Sequence, residues 1–163
     1  MSDTTLYDDD ILAWSEQQAS ALRRLAERRD LPNDLDLEHV AEEIEDVGRS
    51  ELNAVQGLIR QIFTHLIKAA STPDAEAAGH WRAEVVAFHN SLLDRFSTAM
   101  AQRIDLHRQW RRALREAGAA LTAKGGAVAP SLPIRCPYDL ADLTGESFSF
   151  DAAVATLESI GKG

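Results

Sequence analysis

Glu43, Glu45, His65 and Lys68 are the residues whose types and spacing most suggest chemistry. Paired carboxylates bind hard divalent cations such as Mg²⁺ or Mn²⁺, and a carboxylate beside an imidazole makes an acid–base pair. At about 100° per residue, Glu43 and Glu45 flank opposite edges of one apolar stripe, with Glu42 further out. His65 falls at the edge of the next stripe and Lys68 further toward solvent. If the two stripes pack together, these four side chains form a catalytic group for a metal-assisted hydrolase or nuclease, with Glu43, Glu45 and His65 as the metal ligands. The plainer reading is structural, with a boundary glutamate accepting a hydrogen bond from a boundary histidine and fixing the helix packing. A di-iron site of the helix-bundle type is not supported, because neither Glu-x-x-His nor His-x-x-x-His occurs. No cofactor beyond Mg²⁺ or Mn²⁺ at that cluster is expected.

Arg108, Arg111, Arg112 and Arg115 are the second group. Their i, i+3, i+4, i+7 spacing lines four guanidinium groups along one helical strip, which suits binding of phosphate or RNA. No aromatic residue is interleaved to stack bases, so pairing with the acidic segment of the same chain, or of a second copy, is favoured over a solvated face and over RNA. His89 and His107 lie inside apolar stripes and read as core histidines satisfied by hydrogen bonds, and Trp14, Trp81 and Trp110 likewise read as core.

The 163 residues carry a net charge of −9 with an uneven layout. Residues 1–51 hold fifteen acids against five Lys/Arg, residues 52–128 hold six against ten, and residues 129–163 hold five against two. An acidic first third followed by a basic middle suggests that opposite charges meet within or between chains. The overall sign argues against nonspecific nucleic-acid binding. A single cysteine, Cys136, excludes an intramolecular disulfide and any multi-cysteine zinc site. The start of the chain runs into Asp8, Asp9 and Asp10 without the features of a secretion signal, and no apolar run reaches the ~18 residues of a membrane helix. These features point to a cytoplasmic protein of bacterial type.

The elements that must position these residues read as helices throughout. Asp8 or Asp9 caps a first helix to about Arg29, with Ile11, Trp14, Leu22 and Leu25 inward, and residues 30–34 form the turn that ends it. Asp36 caps an acidic helix of 37–47 with Leu37, Val40, Ala41, Ile44 and Val47 on one face, and Gly48 marks its end or a kink. Further helices span about 50–71, 75–96 and 98–123, with Ser97 a potential cap between the last two. Residues 125–137 form a connector, 138–143 a short helical turn, and a last helix capped by Ser149 or Asp151 turns Val154, Leu157 and Ile160 inward. The fold class is all-α, a compact bundle of about five main helices plus a short C-terminal helix. Residues 1–145 read as one bundle domain and 146–163 as a helical extension packing on it.

Four blocks resemble the bacterial family catalogued as domain of unknown function 29. They are Tyr7-Asp8-Asp9-Asp10 with Trp14, the run from Glu42 to Glu51, His65-Leu66-Ile67-Lys68, and Cys136-Pro137-Tyr138 with Leu140 and Leu143. The resemblance covers about residues 6–145 and implies a compact all-helical bacterial domain without an assigned activity. His80 stands where the family usually has serine, which makes it a poor candidate for a shared site, and the segment after about Gly145 runs past the family's usual end. The favoured functional reading is a protein–protein interaction or self-association module. A protein partner or homo-oligomer is expected, with neither nucleic acid nor membrane.

Overall fold

Helix formation along this chain follows from its caps. A computed structural model describes residues 5–162. No strand occurs among them; they form α1 (Leu6–Asp9), α2 (Ile11–Ala26), α3 (Leu37–Ser71), α4 (Ala75–Arg95), a 3₁₀ turn (Thr98–Gln102), α5 (Leu106–Thr122), α6 (Leu140–Leu143) and α7 (Phe150–Ile160). The class is all-α, as expected. Contacts divide the chain into two units, one reaching Ala54 and including Phe96–Ile104, the other made of Val55–Arg95 and the residues from Asp105 onward.

In the first unit, α2 starts at Ile11 because Asp10, rather than Asp8 or Asp9, is its cap: the Asp10 carboxylate accepts the Ala13 N–H at 3.0 Å. Its other oxygen accepts the Ala99 N–H at 2.8 Å and tethers the 3₁₀ turn. Burial works to raise this carboxyl, and the backbone donors that surround it outweigh that effect and hold it below its usual range. The face of α2 that is buried is Leu12, Ser15 and Ala19, while Ile11, Trp14, Leu22 and Leu25 are only half-buried. Trp14 meets Tyr7 edge-on with ring centroids 4.9 Å apart, so it is not the core residue its type suggests.

Gly48 explains the small face. A Cβ there would lie 2.0 Å from Ser15 Oγ and 3.1 Å from both Ser15 Cβ and Leu12 Cδ1. The missing side chain lets α2 and α3 approach closely, so Gly48 does not end a helix, and the two helices expected over 37–71 are one. Asp36 does cap it, accepting the His39 N–H at 3.3 Å. Because Leu37, Ala41 and Gly48 make the buried face, Val40 and Val47 turn outward and are 42% and 43% exposed. The expected stripe placed both inward.

In the second unit, the C-terminal half of α3 buries Val55, Ile59, Ile62, Phe63, Leu66 and Ile67 completely. Each such side chain contributes on the order of 1.5–3 kcal/mol. On α4, Trp81, Val85, His89 and Leu92 face inward, and Phe88 is half-buried. α4 and α5 are separate: Ser97 makes no side-chain cap bond, and Asp105 caps α5 by accepting the Arg108 N–H at 2.9 Å. Trp110 lies edge-on to Phe63, centroids 5.3 Å apart, and Tyr138 stacks on Phe63 at 5.7 Å. The Trp110 indole N–H donates to the Pro133 carbonyl at 2.9 Å, and Ala129 N–H donates to Ser71 Oγ at 3.0 Å, which pins the connector. Gly125 turns that connector with φ +77°. Ser149 caps α7, which buries Phe150, Ala153 and Leu157 but leaves Ile160 43% exposed. The Tyr138 hydroxyl donates to the Ala153 carbonyl at 2.7 Å and ties α7 down, and burial pushes the Tyr138 phenol upward. No helix among the described residues is long and apolar enough to cross a membrane.

Candidate functional site

The outward face of α5 carries four arginines at helical spacing. Once Asp105 fixes the start of the helix and Trp110, Ala113, Ala117 and Leu121 fix its buried side, the i, i+3, i+4, i+7 positions must face away. Arg108, Arg111, Arg112 and Arg115 are all exposed, and together they line a shallow depression of about 290 Å³. None makes a side-chain hydrogen bond or ion pair among the described residues. Charge pairing of this strip was expected within the chain or with a second copy, and among the described residues the first is not seen.

Arg112 and Arg115 also line a neighbouring open depression of about 760 Å³ with Arg60, Leu114, Glu116, Gly118 and Ala119. Arg60 also belongs to a polar layer between α3 and α5. Gln109 Nε2 donates to Gln56 Oε1 at 3.1 Å, and Arg60 Nη1 donates to Gln109 Oε1 at 3.4 Å. Arg60 Nε lies 2.8 Å from Glu116 Oε1, within ion-pair reach but poorly aligned for a hydrogen bond. Glu116 is thus occupied by Arg60, and the ribbon beside it keeps no carboxylate of its own. Like charges at i, i+4 on a helix cost about 0.2–0.5 kcal/mol per pair. Among the described residues this repulsion has no neutralising partner, so the surface is suited to a ligand bearing several negative charges.

The group Glu43, Glu45, His65 and Lys68 does not converge. Glu45 is gripped by the Arg23 guanidinium, Nη1 and Nη2 each 2.9 Å from its oxygens, while Arg23 Nε donates to Glu38 at 3.2 Å. That fork holds the Glu45 carboxyl below its usual range. Glu43 is exposed. His65 lies on the same unbroken helix twenty residues after Glu45, roughly five and a half turns on. Its Nδ1 is 2.7 Å from the Gln61 carbonyl oxygen and its Nε2 is 2.6 Å from Glu84 Oε2. The boundary histidine does pair with a glutamate, but one supplied by α4. Among the described residues no three His, Cys, Asp or Glu side chains are grouped to hold a metal ion.

Lys68 is not turned to solvent either: its Nζ lies 5.1 Å over the Trp81 ring, and desolvation holds its pKa below the usual value. Burial works to raise Glu84, but its hydrogen bond with His65 and the charges of His65, His80 and Lys68 outweigh this and keep it low. Glu84 was missed by the sequence reading, although its place at i+3 from Trp81 and i+4 from His80 marks it as an edge residue of the α4 stripe. His80 approaches Glu84 Oε1 at 3.5 Å.

His89 fits its expectation: it is buried, its Nε2 lies 2.9 Å from the Leu143 carbonyl, and Phe148 stacks on it at 4.8 Å. His107 departs from it, being half-buried with an Nδ1 that finds no partner. Cys136 is half-buried with its thiol 3.6 Å from the Tyr138 carbonyl, and burial pushes the thiol pKa up.

These features belong to an all-α protein whose α5 carries an exposed arginine ribbon without an ion pair among the described residues. The chain belongs to the family described as Domain of unknown function DUF29, whose model matches residues 6–149. It is similar to an alpha-helical protein of unknown function from Rhodospirillum rubrum, known from a crystal structure, with 47% identity and a TM-score of 0.88 over 95% of this chain and 99% of that one. No curated protein matches the chain.

Proposed function

We propose that this protein is an interaction module, and that the arginine ribbon of α5 is its binding face for an acidic protein surface. The observation that carries this reading is that four guanidinium groups share one helical strip without an acid among the described residues to neutralise them. The rigid helix beneath holds them in register, so little conformational entropy is lost on binding. The alternative of a metal-assisted hydrolase built on Glu43, Glu45, His65 and Lys68 with Mg²⁺ or Mn²⁺ gains no support, since Glu45 and His65 are each satisfied by separate partners. The lone Cys136 and the acidic first third favour a cytoplasmic setting for this module.

Titration with poly-L-glutamate at low salt tests the reading by calorimetry. Binding is expected, and it should weaken at least about tenfold at high salt or in Arg111→Glu/Arg112→Glu. Equal binding by the double variant would sink it.

A further inference from the structure

We infer that the acidic surface taken by the ribbon is the outer face of α3 in a second copy of the same chain. The inference rests on the reading of the ribbon as an interface and names its occupant. Three features of α3 support the match. Glu42 and Glu43 are exposed and make no ion pair among the described residues, whereas Glu38 and Glu45 are held by Arg23 and Asp46 by Arg49. Val40 and Val47 leave two apolar side chains 42% and 43% exposed, with Glu43 at the i+3 position between them on the same side of the helix. The spacing of that stripe spans seven residues, as does the ribbon from Arg108 to Arg115, so both faces repeat over roughly 10 Å of helix.

An acid flanked by valines complements guanidinium groups carried on aliphatic stems. The carboxylate meets the fork while the valines cover the methylenes, and exposed Ala119 adds apolar surface along the same strip. A polynucleotide fits less well. It would find no aromatic platform on the ribbon, because Trp110, the one aromatic of α5, is fully buried, and it would be repelled by a chain of net charge −9. A ribbon on one copy and an acidic face on the next make a heterologous contact, which closes into a ring or grows head to tail.

Sedimentation velocity on the full chain tests this, with Arg111→Glu/Arg112→Glu, Glu42→Lys/Glu43→Lys, and their equimolar mixture. Wild type should associate at low salt and dissociate at high salt. Each variant alone should associate at least about tenfold more weakly, and the mixture should recover association, because each variant supplies the face that the other has lost. All substitutions lie on exposed positions, and Arg111→Gln/Arg112→Gln serves as a milder check if a charge reversal perturbs folding. Wild-type association that survives both double variants would overturn the inference, as would a mixture no better than its components. A monomeric wild type that still binds poly-L-glutamate through Arg111 and Arg112 overturns self-association and leaves the interface reading standing. A monomer that binds poly-uridylate instead, in the same arginine-dependent way, overturns both.

Discussion

Glu84 is where the residue-scale reading and the structure part most sharply. The sequence predicts a boundary histidine hydrogen-bonded to a boundary glutamate, and His65 makes that bond, but with a carboxylate from α4. Edge position on a helix is legible from periodicity; which neighbouring edge it meets is not, because that depends on the packing angle between helices. The pair has a pH signature. Burial works against it, but the hydrogen bond with His65 and the charges around it hold Glu84 below its ordinary value of 4.5, so its contribution is fully present above that pH and is lost as pH falls through the lower folded value. Replacing Glu84 with Gln should lower the melting temperature near neutrality, and the gap between variant and wild type should shrink toward zero in acid melts. A gap that stays constant down to strongly acidic pH would mean that the carboxylate charge plays no part. Val40 and Val47 teach a related lesson. The expected stripe counted every apolar residue as inward, but a helix crossing at a glycine selects a narrow face of small residues and expels the larger ones.

At the scale of elements, the caps Asp36 and Ser149 were legible, while the cap of α2 and the continuity of α3 were not. Glycine at position 48 has two local meanings, a helix stop or a close approach, and only the partner helix decides between them. The close approach predicts a cost for adding one methyl. In Gly48→Ala, about 1 kcal/mol of helix propensity is gained, while overpacking against Ser15 and Leu12 costs about 1–3 kcal/mol. The net effect should be destabilising in urea melts. In the Ser15→Ala background the hydroxyl at 2.0 Å is gone, so the same substitution should cost less, a non-additivity that a solvent-facing glycine would not show. Additive effects, or a stabilised Gly48→Ala, would place the crossing elsewhere. The separation of α4 from α5 was readable only in part. Ser97 was the visible candidate for a cap, but its side chain makes no cap bond, and Asp105, eight residues later, starts α5.

At the scale of the whole molecule, the charge segregation is plain in the composition, but which arginines pair with which acids is not. An acidic first third and a basic middle suggest pairing within or between chains, and the arginines that do pair with acids of α3 include Arg23 of α2 and Arg49 of α3 itself. The four arginines of α5 are left over. Spacing alone could place them on one strip, but only the partners of every acid could show that none is spent on them. Membership of the family and its similarity to a solved relative establish the helical class and leave the activity open, so the free ribbon carries the functional argument. Its physical premise is that these arginines do not stabilise the chain that bears them. The direct measurement is the melting temperature of Arg111→Gln/Arg112→Gln at low salt and at a dilution where the chain is monomeric. The account predicts a temperature unchanged or raised by roughly 1–2 °C, together with lost poly-L-glutamate binding; a fall of several degrees would mean that the ribbon is paired within its own chain.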